Sequence, residues 1–298
     1  MLALLLLAAC SGSTEQEDIP KPESGSPPDL ERWCKGGHAI SCDTLGEAWL
    51  KGRQVPKDPA RAQEWFQRAC ELNMPEGCHH YGESLEGAAA LPAFKKACDA
   101  KFVESCYYVG MGLVEGLGME EPDPEAGFAV LLPSCDRDSV MASCHAVGEC
   151  YRSGEGVDED MEMAVEYFTR ACDKRHHVSC TALGTMQLAG EGMEEDPIAA
   201  ANTFDKTCAA GDFDACNHLG ALQVSGELGV IDYTRANMYF EKACDGGDAQ
   251  GCFNLGLTYL HGSGAEPNPA RARELFQRAC EAGIEKSCET VEEMDKAP

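Results

Sequence analysis

The sequence predicts an all-α fold, an αα-superhelix (solenoid) of about seven disulfide-linked helix-pair repeats, and three observations point to it. Cysteines recur in pairs whose second members are Cys42, Cys78, Cys106, Cys144, Cys180, Cys216, Cys252 and Cys288, so that five of the seven steps are 36 residues long. Four residues after these cysteines stand Gly46, Gly82, Gly110, Gly148, Gly184, Gly220 and Gly256. Four residues before the first cysteines stand Phe66, Phe94, Leu131, Phe168, Phe204, Phe240 and Phe276.

The elements follow in chain order. Met1 to Cys10 is a short apolar run closing on Leu7-Ala8-Ala9-Cys10. The small residues before the cysteine resemble the lipobox of bacterial lipoproteins, which makes residues 1–9 a signal peptide and Cys10 the lipidated residue. No Lys or Arg precedes the run, a departure that leaves the true start codon open. The run is well short of the ~20 residues that span a bilayer. Residues 10–29, rich in Ser, Pro, Gly and Glu, read as a flexible linker, and 30–298 as the repeat region.

Within each repeat the glycine four residues past the second cysteine is costly inside a helix unless two backbones approach closely there. Six residues on, Gly52, Gly116, Gly154, Gly190, Gly226 and Gly262 sit where a helix should stop in a left-handed C-cap. Asp58, Asp123, Asp160, Asp196, Asp232 and Asn268 then read as N-caps, several followed by Pro59, Pro124, Pro197 or Pro269 at the first helical position. The second helix places its aromatic ring and its cysteine on one face by their i,i+4 spacing. Between Tyr81 and Cys98 eight residues are missing and Glu86 takes the capping position, so a shortened loop and a local irregularity are expected there.

The pairs Cys34/Cys42, Cys70/Cys78, Cys98/Cys106, Cys135/Cys144, Cys172/Cys180, Cys208/Cys216, Cys244/Cys252 and Cys280/Cys288 are too widely spaced for zinc ribbons. They fit disulfides, each tying the end of one helix to the start of the next, in an oxidising compartment. Pairing between different repeats is the alternative that sequence leaves open. Cys150 remains, read as a buried thiol acting as a small apolar residue, with a reactive or intermolecular thiol as the other option.

A formal charge of −27 argues against nucleic acid and against anionic lipid as direct partners. No Ser-x-x-Lys occurs, the nearest imitation being Thr203 to Lys206, and no clustered His and Asp ligand run is present. Neither a metal nor a cofactor is expected. The histidine doublets His79/His80 and His176/His177 point apart on a helix, which disfavours a shared site.

Leu or Tyr before Gly, a Gly-x-Gly-like loop and Ala-x-x-x-Phe-x-x-Ala-Cys together resemble the Sel-like repeat, a relative of the tetratricopeptide repeat, over about residues 30 to 288. The cysteine spacing resembles the narrower bacterial Hcp-like family of cysteine-rich secreted repeat proteins. Together with the lipobox-like start, these resemblances lead to two readings of function. One is an exported, lipid-anchored scaffold or adaptor of the bacterial cell envelope, facing the periplasm or cell surface, which binds a protein, a peptide or a peptidoglycan fragment on its concave face. Its membrane contact would be the N-terminal lipid alone. The other is binding of β-lactams with weak β-lactamase activity. If the first helices line the concave face as in tetratricopeptide relatives, the residues after the second cysteines, Asp43, His79, Tyr107, His145, Thr181, Asn217 and Phe253, are the ligand-facing candidates.

Overall fold

A computed structural model describes residues 25–136 and 140–296. The signal peptide expected at 1–9, the lipidation at Cys10 and most of the expected linker lie outside the described residues. The described residues hold α-helices and one 3₁₀ turn, with no strand, and divide into two compact units on either side of the Phe102–Val103 boundary.

The first unit contains α1 (Pro27–Lys35), α2 (Ala39–Lys51), α3 (Pro59–Glu71), α4 (Pro75–Glu83) and α5 (Leu91–Asp99), with a 3₁₀ turn at Gly87–Ala90 before α5. Because α1 opens at Pro27, the last residues assigned to the linker are helical; Asp29 in the first turn and Pro27 at its start suit a helix N-terminus. The second unit contains α6 (Val103–Val114), α7 (Pro124–Asp136), α8 (Met141–Ser153), α9 (Met161–Asp173), α10 (His177–Ala189) and α11 (Pro197–Ala209). It continues with α12 (Phe213–Ser225), α13 (Tyr233–Asp245), α14 (Ala249–His261), α15 (Pro269–Glu281) and α16 (Glu285–Lys296).

The helices pair as α2/α3 and α4/α5 in the first unit, and as α6/α7, α8/α9, α10/α11, α12/α13 and α14/α15 in the second. Each pair closes on one contact. A methyl group on Gly184 would lie 2.5 Å from the Phe204 ring, and at Gly46, Gly148, Gly220 and Gly256 the distances to the paired phenylalanine are 2.6 to 2.7 Å. Only a residue without a Cβ lets the ring settle against the facing backbone. These phenylalanines are buried, and in the second unit the core divides into clusters that each run across two or three successive helices.

The caps follow from local chemistry. Asp58, Asp123, Asp160, Asp196, Asp232 and Asn268 each accept a bond from a backbone N–H in the first turn of the following helix. Glu86 makes no such bond, because the chain enters the 3₁₀ turn there and α5 starts only at Leu91. The first helices also carry caps that the sequence pattern did not flag: His38, Asp212 and Asp248 accept from the N–H groups of Ser41, Ala215 and Gly251.

Disulfides join Cys34–Cys42 and Cys70–Cys78 in the first unit. In the second they join Cys135–Cys144, Cys172–Cys180, Cys208–Cys216, Cys244–Cys252 and Cys280–Cys288. Cys98 and Cys106 are disulfide-bonded as well. Cα–Cα separations of 4.2 to 4.8 Å bring helix ends so close that the residue before each second cysteine must be small. Gly77 faces Ala69, and Gly251 faces Ala243.

A recurrent cation links successive repeats. Lys96 reaches the Cys70 carbonyl at 2.6 Å, Arg170 that of Cys135 at 3.0 Å, Lys242 that of Cys208 at 2.7 Å and Arg278 that of Cys244 at 2.8 Å. Each charge sits at the C-terminus of the preceding repeat's second helix, where carbonyls lack intrahelical donors and the helix dipole is negative.

Candidate functional site

The seven residues after the second cysteines sit between helices and not on an open face. Asp43, Thr181, Asn217 and Phe253 are buried, and His79, Tyr107 and His145 half-buried. Several bond or stack with a neighbouring helix: Asp43 Oδ1 lies 2.7 Å from His80 Nδ1, Asn254 donates to Asn217 at 2.8 Å, and Phe253 packs on Phe276 with centroids 5.6 Å apart. Their variety follows which partner each repeat offers the next one.

The accessible space lies one residue further round the helix. Between α2 and α4 a cavity of about 580 Å³ is lined by Glu47, Leu50, Lys51, Pro59, Ala60, Ala62, Gln63, Phe66, His80, Glu83 and Ser84. At the equivalent place between α12 and α14 a cavity of about 220 Å³ is lined by Ala221, Val224, Tyr233, Phe240, Asn254, Leu257, Thr258, His261 and Ser263. His80 and Asn254 each lie two residues past their cysteine, and Glu83 and Leu257 five past. None of the seven predicted residues lines either cavity. An α-helix turns about 100° per residue, so neighbouring positions on the first helix divide between the groove and the seam between helices.

Charge in the larger cavity is specific. The hydrogen bond to Lys51 at 2.9 Å holds the Glu47 carboxyl below its usual range, against an opposing push from burial. His80 is raised above the usual imidazole value, chiefly by its hydrogen bond to Asp43, with burial opposing. Its ring also tilts on Phe66 at 5.1 Å between centroids.

A second histidine cluster lies in the other unit. His145 Nδ1 is 3.1 Å and His176 Nδ1 2.8 Å from the Ser179 hydroxyl, and the two rings are 5.4 Å apart. Burial lowers both below the usual imidazole value; Glu149 opposes this for His145, while His177 adds to it for His176. Ser179 is fully buried, so its hydroxyl is a structural bridge and is closed to a substrate.

Cys150 is buried and unpaired with another cysteine, and its thiol is pushed up to about 11, first by burial and then by Glu155 and Glu149. A thiol so high carries almost no thiolate at neutral pH, in keeping with its packing role. Thr203 donates its hydroxyl to Gln187 at 2.8 Å, and Lys206 is exposed. Among the described residues no three His, Cys, Asp or Glu side chains are grouped to hold a metal ion, and no helix is long and apolar enough to cross a membrane.

The sequence matches the Sel1 repeat at residues 44–74, 103–136, 142–176, 177–212, 213–248 and 249–284. No curated protein matches it significantly. Among solved structures, a protective antigen of uropathogenic Escherichia coli with an SLR fold is 24% identical, with a TM-score of 0.73, over 92% of this chain; the chain spans 60% of that protein's length. A Sel1 repeat protein from Oxalobacter formigenes is 20% identical at a TM-score of 0.71, over 90% of this chain and 79% of the other. Cysteine rich protein B of Helicobacter pylori is 26% identical over 44% of this chain and 95% of its own, at a TM-score of 0.38. The first two scores establish a shared fold.

Proposed function

Because the chain belongs to the Sel1 repeat family, we propose that it is a scaffold that binds segments of other proteins in the grooves between the first helices of adjacent repeats. One observation carries this reading: the same groove occurs between α2 and α4 and between α12 and α14, on the same backbone frame, with different side chains facing it. A repeated frame with exchanged linings is how a repeat protein reads an extended partner. The disulfides beside each groove hold it in place before binding, which reduces the ordering cost of association.

The same reading places the protein in an oxidising bacterial envelope, anchored by a lipid on Cys10. The cysteine chemistry supports the first part, and the lipobox-like Leu7-Ala8-Ala9-Cys10 supports the second. Replacement Cys10→Ala should move the protein from the membrane fraction to the soluble one on cell fractionation; an unchanged distribution removes the anchor.

Binding is tested by panning the immobilised, oxidised protein against a displayed library of random dodecapeptides. Selected peptides should bind the purified chain and lose affinity when Leu257→Arg and Ala221→Arg block the groove beside α14. A library that yields no binder refutes the reading.

A further inference from the structure

The larger cavity exists where the repeat period fails. The step from Cys78 to Cys106 is 28 residues and not 36, and α4 ends at Glu83 whereas its counterpart α14 continues to His261. That last turn of α14 and the second residue beyond it lay Thr258, His261 and Ser263 along the smaller groove. Without such a turn the groove beside α4 opens to about 580 Å³, against about 220 Å³ for its counterpart. The deletion therefore alters more than the regularity of the stack: it exposes the flank of α3.

The lining combines an apolar part with excess negative charge. Leu50, Pro59, Ala60 and Phe66 supply apolar surface, and Glu47 and Glu83 the carboxylates. Ala221 and Leu257 occupy the places of these two carboxylates in the smaller groove, so the charge is peculiar to the enlarged one. Lys51 offsets Glu47 at 2.9 Å, and His80 is engaged by Asp43. Glu83 lies 3.6 Å from His79, and its side chain is 48% exposed; it also adds to the upward push on His80. The net charge of −27 adds a field that draws cations toward the chain.

We propose that this pocket takes a lysine or arginine side chain of a bound partner segment, with the methylene stem on Leu50 and Phe66 and the cationic head at the Glu47 and Glu83 carboxylates. The proposal rests on the groove-binding reading above and specifies the partner chemistry at one groove. Long basic side chains suit such a site because their stems are apolar and their heads seek carboxylates.

The test uses fluorescein-labelled, N-acetylated and C-amidated nonapeptides that share an apolar frame and carry Arg, Lys, norleucine or Glu at the centre, titrated by anisotropy against the full oxidised chain. The Arg and Lys peptides should bind roughly tenfold tighter than the norleucine peptide, as expected for charge-assisted bonds. The difference should shrink to within about twofold in the Glu47→Gln/Glu83→Gln variant, whose surface substitutions leave the core intact. Ser84→Trp, which fills the cavity, should abolish Arg-peptide binding, with tryptophan fluorescence and circular dichroism checking the fold of each variant. Equal affinity for Arg and norleucine, or a preference that survives Glu47→Gln/Glu83→Gln, overturns the pocket and leaves groove binding standing. Failure of all the nonapeptides together with an empty panning experiment overturns both.

Discussion

The buried serines that precede several of the second cysteines show how one side chain takes its worth from a residue three positions away. Ser41 and Ser179 have His38 and His176 at the cap, with Nδ1 within 2.9 and 2.8 Å of the hydroxyl. At Ser143 and Ser287 the corresponding residues are Val140 and Ile284, and the hydroxyls are buried without a partner. An unsatisfied buried hydroxyl costs free energy that a bonded one does not. Ser143→Ala should therefore leave stability unchanged or raise it by about 1 kcal/mol, whereas Ser179→Ala should lower it by about 1–2 kcal/mol in urea denaturation. The reverse order would show that the two sites differ in packing and not in bonding.

At the level of helices, much was legible because the period superimposes independent copies. The glycine-on-phenylalanine contact, the aspartate caps and the glycine stops each recur at a fixed distance from a cysteine, so local chemistry reads through the repetition. The groove was not legible, because which side of the first helix faces space depends on how the next pair packs, and a single-residue phase shift exchanges seam for surface. Nor was the role of the basic residue two before the first cysteine, since its acceptor lies in the preceding repeat. Lys242 donates to the Cys208 carbonyl across 34 residues of sequence. Lys242→Met should keep the stem packing and lose the charge-assisted bond, costing about 1–2 kcal/mol. Amide exchange should report the loss at the C-terminal turn of α11; an unchanged exchange profile there would show that the carbonyl needs no such donor.

Across the whole molecule, the histidines of the two compact units are shifted in opposite senses. In the first, His80 is raised by Asp43, so its stabilising contribution is complete below the unfolded value of about 6.5 and is lost as pH rises through the higher folded value. In the second, His145 and His176 are lowered, so the unfolded chain takes up protons first and stability drains as pH falls below about 6.5. Trp33, Trp49 and Trp65, the only tryptophans of the chain, all belong to the first unit and report on it alone. Between pH ~7.5 and ~6 the urea midpoint seen by tryptophan fluorescence should hold or rise while that seen by circular dichroism falls. The gap should narrow in His145→Gln; parallel shifts of both signals would contradict the assignment.

The thiol of Cys150 has a consequence before folding is complete. Once buried it is inert, but in a nascent chain it lies six residues from Cys144, closer than the native partner Cys135 at nine. Short loops close readily, so a wrong 144–150 bridge competes at the outset. Thiol exchange, by attack of a free thiolate on the wrong bridge, is the reaction that corrects it. Oxidative refolding of Cys150→Ala from the reduced chain should give a higher native yield without an isomerase, and the wild type should recover that yield when one is added.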